Sequence, residues 1–300
     1  MTVYIDNILI DDHWIESSRY PGSHIHVRRK RISSGSIPLL FLHGLSFAPD
    51  LNQPDSKHDG VSAADILAQL GYDVYLVCAL GYGLSSKPAG NINDFRDWYH
   101  DIVDVMSWIG KPKVDLIGCS GSAVSALMVA ANNPDRIRNL IIHGIPNMTS
   151  DSGVYDPRPD THWLFDLSRI RYKRYKDIPE SLRAEILPEA WYDDWEFRIR
   201  AQMPFEIPLG TEIDRVMIKL GEKRLCDHFD PQKVIADCLF VTGEWDTVID
   251  RKESYDIFKS LASRRKKFRF ASRCSHWGLI ETTRMNMIDI IHRFISDTST

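Results

Sequence analysis

The sequence predicts an α/β fold with a mainly parallel central sheet flanked by helices. Short apolar runs of strand length alternate with helix-like segments, and the connections between them are long enough for crossovers. Runs such as 38–42 and 238–243 are apolar almost throughout instead of alternating with polar residues. Strands of that kind are typical of a parallel sheet that is buried on both faces.

The N-terminal elements can be assigned in order. Strands are predicted at 4–15 and 24–31, joined by a turn at Pro21-Gly22. A buried strand at 38–42, a helix at 63–70 ended by Gly71, and a strand at 73–77 follow. Residues 94–109 predict an amphipathic helix between an Asp94 cap and a Gly110 stop, because apolar residues recur there at three- and four-residue spacing.

The remaining elements continue the same alternation around one long interruption. A strand at 114–117, a helix at 120–132 and a strand at 139–144 precede it; strands at 238–243 and 267–271 and a helix at 281–295 follow it. From about Pro146 to Val234 the chain is rich in charge and aromatic residues and has no convincing strand. We therefore predict a core made of residues 1–145 and 235–300, with residues 146–234 inserted as a helical cap.

Bulk composition excludes several classes of partner. A formal charge of −4 without a dominant patch argues against nucleic acid or an anionic membrane surface as the main partner. No apolar run reaches bilayer length, and the N-terminus does not resemble a secretory signal. The five cysteines are scattered without a CxxC pair, which is typical of reduced thiols, so we expect a cytoplasmic location. They are Cys78, Cys119, Cys226, Cys238 and Cys274.

The segment Ile117-Gly118-Cys119-Ser120-Gly121-Ser122 carries the strongest functional signal. An apolar strand leads into a turn of small residues, and a long apolar helix leaves it. This order is typical of a nucleophile elbow, which exposes a serine hydroxyl and aims the helix N-terminus at a developing oxyanion. The segment indicates acyl transfer through a covalent serine intermediate.

A serine nucleophile needs a base, and the base needs an acid that holds its tautomer. Asp246 follows the predicted strand at 238–243, and His276 follows the last predicted strand. Glu244 and Asp250 are alternative acids close to Asp246. His43 is a second candidate base, although a structural, hydrogen-bonded role suits it better. His292 is the only later histidine, and it lies inside the closing helix.

These motifs together resemble the α/β-hydrolase fold superfamily, in its branch of capped serine hydrolases. The resemblance covers most of residues 35–145 and 235–296. Further motifs that carry it are His43-Gly44-Leu45, the segment from Gly71-Tyr72-Asp73-Val74 to Gly81-Tyr82-Gly83-Leu84-Ser85, Asn133-Pro134-Asp135-Arg136-Ile137 and Gly243-Glu244-Trp245-Asp246. The chain order Ser, Asp, His is also that of the superfamily.

The resemblance implies roles for five residues. Ser120 is the implied nucleophile, Asp246 the acid and His276 the base, while the backbone N–H groups of Leu45 and Gly121 form the oxyanion hole. The chain departs from the usual pattern in two places, where Ser122 replaces the second glycine of GxSxG and Cys78 replaces an aspartate. A serine nucleophile instead of an aspartate argues against epoxide hydrolase and haloalkane dehalogenase chemistry.

Other residues that suggest chemistry have simpler explanations. Cys119 adjoins the nucleophile, but its side chain is expected to be a buried thiol. The histidines lack metal-ligand spacing, so we predict no metal and no cofactor. A basic cluster at 169–176 suits a solvated helix face better than an anionic partner. Aromatic residues of the predicted cap are expected mostly to pack, with two or three facing an acyl pocket.

The predicted activity is hydrolysis of a carboxylic ester or thioester, on a small molecule with an apolar or aromatic acyl group. Carbon–carbon or amide cleavage, lyase chemistry and acyl transfer by the same three residues stay open, as does a slow-turnover receptor for a small ligand. The sequence does not indicate an oligomeric state.

Overall fold

A computed structural model describes residues 7–32, 37–44, 61–86, 88, 95–145, 229–244, 246, 249, 251–274, 276 and 278–297. Within these ranges, eight strands form one sheet in the order β1-β2-β4-β3-β5-β6-β7-β8. The strands are β1 Leu9–Glu16, β2 His24–Arg31, β3 Pro38–Leu42, β4 Asp73–Val77, β5 Val114–Cys119, β6 Ile137–His143, β7 Asp237–Gly243 and β8 Lys266–Ala271. The first two strands form an antiparallel hairpin, and β2 also runs antiparallel to β4.

The other strand pairs of the sheet are parallel, so their carboxyl ends meet along one edge. Strands β3, β5 and β6 lie at its centre, and β3 and β5 are buried at every position. Loops that leave these carboxyl ends are where parallel α/β sheets place their ligands. The topology therefore brings the ends of β3, β5, β6, β7 and β8 to one edge.

Helices cover both faces of the sheet. The described helices are α1 Ala63–Gln69, α2 Phe95–Ile109, α3 Ser122–Asn132, α4 Arg251–Ser260 and α5 Arg284–Ser296. One apolar cluster joins α2 and α3 to one face, and a second joins α1 and α5 to the other. Each described helix falls short of the length and apolar character that a bilayer span requires.

The predicted fold class is confirmed, with shifts at element ends. The third helix begins at Ser122 instead of Ser120, because Ser120 has a φ of 54° and stands in the turn before it. The last helix begins at Arg284, three residues after the predicted start at Glu281. Helix α4 was not predicted, since Ser254 and Ile257 are its only buried residues and give no apolar stripe.

Most of the predicted cap lies outside the described residues. Residues 146–228 are among those not described, while 229–234 are described and contain a short 3₁₀ helix, Pro231–Lys233. Phe229 and Val234 are buried in the same apolar cluster as α3. The cap and its boundaries therefore stay a prediction.

Candidate active site

The nucleophile elbow forms where β5 passes into α3. Ser120 has a φ of 54°, a left-handed conformation that is costly for a residue with a side chain and is a mark of functional turns. The turn is tight at Gly118, where an added Cβ would come within 2.6 Å of the Ala126 Cβ atom and 2.8 Å of the Ala123 Cα atom. Glycine at 118 is thus required for α3 to start directly behind the serine.

Ser122 fastens this turn to the neighbouring strand. Its buried hydroxyl oxygen accepts a hydrogen bond of 2.8 Å from the Cys119 N–H and lies 2.9 Å from the Leu42 carbonyl oxygen, to which it donates. The Cys119 carbonyl oxygen, also at 2.9 Å, is an alternative acceptor. The serine that departs from the GxSxG pattern therefore links the end of β3 to the end of β5.

The structure brings Ser120, His276 and Asp246 into one hydrogen-bonded chain. The Nε2 atom of His276 lies 3.1 Å from the Ser120 Oγ atom, and its Nδ1 atom lies 2.9 Å from the Asp246 Oδ2 atom. Asp246 is 3% exposed and His276 5% exposed, so both are shielded from solvent. The other carboxylate oxygen of Asp246 accepts a bond of 3.3 Å from the Ile249 N–H.

The end of β6 packs directly against His276 and Asp246. Gly144, with a φ of 60°, lies so close that an added Cβ would come within 2.9 Å of the His276 Cε1 atom and 3.4 Å of the Asp246 Oδ2 atom. The preceding residue, His143, is fully buried, and its ring stacks on that of His276 with 6.0 Å between centroids. The sequence indicates neither contact, because a strand-end His-Gly pair without a carboxylate carries no catalytic signal.

Part of the predicted oxyanion hole is described. Gly121 caps α3, and within the described residues its N–H has no hydrogen-bond partner, so it points from a helix N-terminus with its donor available. Gly44 lies against Ser120: a Cβ added there would come within 3.1 Å of the Ser120 Cβ atom. Leu45, the second predicted donor, lies outside the described residues.

Of the alternative acids and bases, the described ones make other contacts. Glu244 is exposed and accepts bonds from the Ser272 hydroxyl and the Arg273 N–H. His43 is fully buried; burial lowers its pKa to about 4, and its Nε2 atom accepts from the Ala79 N–H, so it is neutral and structural. His292 lies on α5, where its Nδ1 atom is 2.8 Å from the Tyr72 hydroxyl oxygen. Asp250 lies outside the described residues.

The two cysteines discussed above have no part in the hydrogen-bonded chain. Cys119 is buried, and desolvation, together with the nearby charge of Asp246, raises the pKa of its thiol well above the ordinary value. Such a thiol is a poor nucleophile. Cys78 donates from Sγ to the Tyr82 carbonyl oxygen. Over the described ranges, no three His, Cys, Asp or Glu side chains converge as metal ligands would.

Comparison with known proteins agrees with this geometry. The sequence profile of a family described as "alpha/beta hydrolase fold" matches residues 37–181. Over these residues, just under half of its length, the chain is similar to the α/β-hydrolase fold family. It is 28% identical over 250 residues to the serine hydrolase BPHL of Mus musculus, covering 79% of this chain and 72% of that protein.

Two further similarities are informative. The chain is 25% identical over 211 residues to 2-hydroxymuconate semialdehyde hydrolase of Pseudomonas sp. (strain CF600), covering 67% of this chain and 69% of the relative. The solved structure of an esterase from Exiguobacterium antarcticum superposes with a TM-score of 0.68 at 20% identity, covering 95% of this chain and all of the other, and shows that the fold is shared. The comparisons thus agree with the serine, histidine and aspartate arrangement in indicating a serine hydrolase of this fold.

Proposed function

We propose that this protein hydrolyses a carboxylic ester or thioester through an acyl-enzyme on Ser120. The observation that carries the proposal is the chain of two hydrogen bonds from the Ser120 hydroxyl through His276 to the buried Asp246. A serine hydroxyl becomes a nucleophile at neutral pH when such a base is within hydrogen-bond reach. The raised pKa of the buried Cys119 thiol favours the serine over its neighbour as the attacking group.

In the first half of the proposed reaction, Ser120 Oγ attacks the acyl carbon and His276 Nε2 takes its proton. Asp246 accepts from Nδ1 and stabilises the imidazolium. The oxyanion is held by the Gly121 N–H and, by resemblance, the Leu45 N–H; each such donor contributes about 3–4 kcal/mol to the transition state. His276 then gives its proton to the departing alcohol or thiol, which leaves Ser120 acylated.

In the second half, His276 takes a proton from water, and the resulting hydroxide attacks the acyl-enzyme. The carboxylic acid leaves as Ser120 recovers its proton from His276. We further propose that residues 146–234 form a helical cap whose aromatic side chains contact the acyl group. The observation that supports the cap is compositional: the segment includes four aromatic residues within a short range, Trp191, Tyr192, Trp195 and Phe197.

A fluorophosphonate probe tests the proposal directly. The wild-type protein is expected to form one covalent adduct, which peptide mass spectrometry maps to Ser120. Ser120→Ala is expected to lose both the adduct and the hydrolysis of p-nitrophenyl esters, while its far-UV circular dichroism stays that of wild type. Labelling at another residue, or esterase rates that survive in Ser120→Ala, would refute the assignment. A panel of p-nitrophenyl esters and acyl thioesters of increasing chain length would then define the acyl group.

The second candidate is cleavage of a carbon–carbon bond by the same residues. Its support is the similarity to a relative named for 2-hydroxymuconate semialdehyde, a compound without an ester group, whose hydrolysis must break a carbon–carbon bond. Assaying that compound beside the p-nitrophenyl esters separates the candidates. A kcat/KM at least tenfold higher for the semialdehyde would favour the second.

A further inference from the structure

The ring of His43 bonds two backbone groups at the edge of the sheet where β3 ends. Its Nδ1 atom lies 2.6 Å from the carbonyl oxygen of Gly44, the next residue in the chain. Its Nε2 atom accepts a bond of 3.1 Å from the Ala79 N–H, in the loop that follows β4. The ring is fully buried and packs against the rings of Tyr82 and Trp98, whose centroids are 4.6 Å and 5.3 Å away. The side chain is therefore held in one position between the end of β3 and the loop after β4.

The contact with Ala79 determines which ring nitrogen carries the proton. A backbone N–H only donates, so Nε2 is the nitrogen without a proton. Burial lowers the pKa of His43 to about 4, so the ring is neutral near pH 7 and its one proton is on Nδ1. Nδ1 therefore donates to the Gly44 carbonyl oxygen. A carbonyl oxygen has two lone pairs, so a second donor to it would leave this bond in place.

The two residues that flank Ala79 fix the position of its N–H. The preceding N–H donates to the His26 carbonyl oxygen on β2 at 3.0 Å, and the following N–H donates to the buried Asp101 carboxylate on α2 at 2.9 Å. The loop after β4 is thus attached to both β2 and α2. It presents its donor to the His43 ring from a set position, which keeps the ring proton on the opposite nitrogen.

Gly44 is the residue through which this ring can act on the proposed reaction. A Cβ added there would come within 3.1 Å of the Ser120 Cβ atom and 3.8 Å of its Oγ atom, so the Gly44 backbone lies beside the attacking oxygen. In the sheet, β3 lies between β4 and β5, so Ala79 follows the strand on one side of β3 and Ser120 follows the strand on the other. A carbonyl oxygen turned toward Ser120 would repel the negative charge that develops there, and the bond to Nδ1 opposes that rotation.

The peptide group that follows Gly44 is planar, so a bond to its oxygen fixes the orientation of the whole group. The N–H of Leu45, which the resemblance implies as an oxyanion donor, belongs to this group because its nitrogen is bonded to the Gly44 carbonyl carbon. We propose that His43 is a positioning residue, which holds the Gly44 carbonyl oxygen through Nδ1–H and so orients this peptide group for the oxyanion. This inference rests on the proposed function, because the oxyanion forms in the attack by Ser120.

Amide side chains separate the two ring contacts. Asparagine places its amide nitrogen near the position of Nδ1 and can still donate to Gly44, whereas glutamine reaches the position of Nε2 and can still accept from Ala79. We expect His43→Asn to keep kcat on a p-nitrophenyl ester within about fivefold of wild type, and His43→Gln to lose kcat by about 10- to 100-fold with little change in KM. A folded Gln variant as active as wild type, or a folded Asn variant as slow as the Gln variant, would overturn the proposal.

His26→Gln is the matched control, because His26 is also fully buried but its Nε2 atom bonds Asp12 on β1. Both Gln variants should lose unfolding free energy in urea, whereas only His43→Gln should lose kcat by more than about threefold. The acidic limb of the kcat/KM pH profile should be the same in wild type and His43→Gln, since the proposed base His276 is not touched. Equal kcat losses in the two Gln variants, or a shifted limb, would refute an action through the peptide group.

¹H–¹⁵N NMR of the histidine side chains reads the ring proton without turnover, in the wild-type protein. His43 is expected as the neutral Nδ1–H tautomer near pH 7, with its signals assigned by their loss in His43→Gln. An Nε2–H tautomer or a doubly protonated ring would refute the proposal even if no substrate were found. Failure of wild type to label at Ser120 with the fluorophosphonate would instead refute the proposed function, so the two failures are distinguishable.

Discussion

The backbone N–H of Ser120 donates a hydrogen bond of 2.8 Å to the backbone carbonyl oxygen of His143. Ser120 directly follows the last residue of β5 and has a left-handed φ. Its N–H is bonded by the last residue of the neighbouring strand β6. The next residue, Gly144, lies directly beneath the His276 ring. The proposed nucleophile and the proposed base are thus aligned against one shared strand end.

Gly144→Ala is expected to reduce kcat by about 10- to 100-fold, because the new Cβ would displace the His276 ring from 2.9 Å. Gly71→Ala is the matched control: Gly71 also has a positive φ, of 94°, but a Cβ there meets nothing within 4 Å. Both variants should lose about 1–2 kcal/mol of unfolding free energy from backbone strain. Steady-state kinetics and urea denaturation measure the two effects, and equal kcat losses would contradict the role given to Gly144.

Asp246→Asn should lower kcat by roughly 10⁴-fold, the size known for this exchange in a serine protease triad, because asparagine favours the wrong tautomer of the base. The control is Glu244→Gln, a nearby carboxylate that faces solvent and the Ser272–Arg273 turn. This variant should stay within about threefold of wild type on a p-nitrophenyl ester. If the Glu244 variant were the inactive one, the acid would be misassigned.

Ser122→Ala should destabilise the fold by about 1–3 kcal/mol, since the Cys119 N–H and the Leu42 carbonyl oxygen would lose their buried partner. Ser107→Ala removes a hydroxyl that bonds the Val103 carbonyl oxygen on the exposed face of α2, and should change stability by at most about 0.5 kcal/mol. Urea denaturation of both variants gives the comparison. A Ser122 variant as stable as the Ser107 variant would show that the β3–β5 link contributes little.

Asp101 is expected to make stability pH-dependent. It is buried on α2 and accepts from the Leu80 N–H; burial raises its pKa from 3.8 to about 7. The folded state therefore retains a proton that the unfolded chain releases. The contribution of this retained proton to the unfolding free energy is complete below the unfolded pKa of Asp101 and is lost as pH rises through about 7.

Asp101→Asn removes that titration and serves as the reference. Between pH 5 and pH 9, the unfolding free energy of wild type should fall by about 2–3 kcal/mol relative to the Asn variant. Chemical denaturation at several pH values measures the difference. A difference that stays constant with pH would mean that Asp101 is ionised throughout that range.

The parallel half of the sheet could be predicted because strands such as β3 are buried on both faces and read as unbroken apolar runs. Helix α4 could not, since it lies on the surface with few buried residues. The predicted approach of Ser120, Asp246 and His276 followed from strand ends meeting at one edge. The contacts of His143 depend on loop geometry after β8, which apolar periodicity does not encode.

Local sequence also could not determine where the elbow ends. Residues 120–132 read as one helical stretch, but the left-handed φ of Ser120 delays the start of α3 to Ser122. The hydroxyl of Ser122, which stands where the GxSxG pattern has a glycine, bonds the Leu42 and Cys119 backbone. That bond joins β3 to β5, which are distant along the chain, so local sequence does not reveal it.

Every group in the Ser120–His276–Asp246 relay, together with its support from His143 and Gly144, comes from outside residues 146–228. The residues proposed to carry out the reaction can therefore stay constant while residues 146–228 change. In the proposed arrangement, where this stretch forms the cap over the site, mutations within it would change which compounds are accepted while the relay is inherited unchanged. Libraries of variants randomised only within 146–228 would keep the Ser120–His276–Asp246 relay, and they could be screened for activity on new substrates.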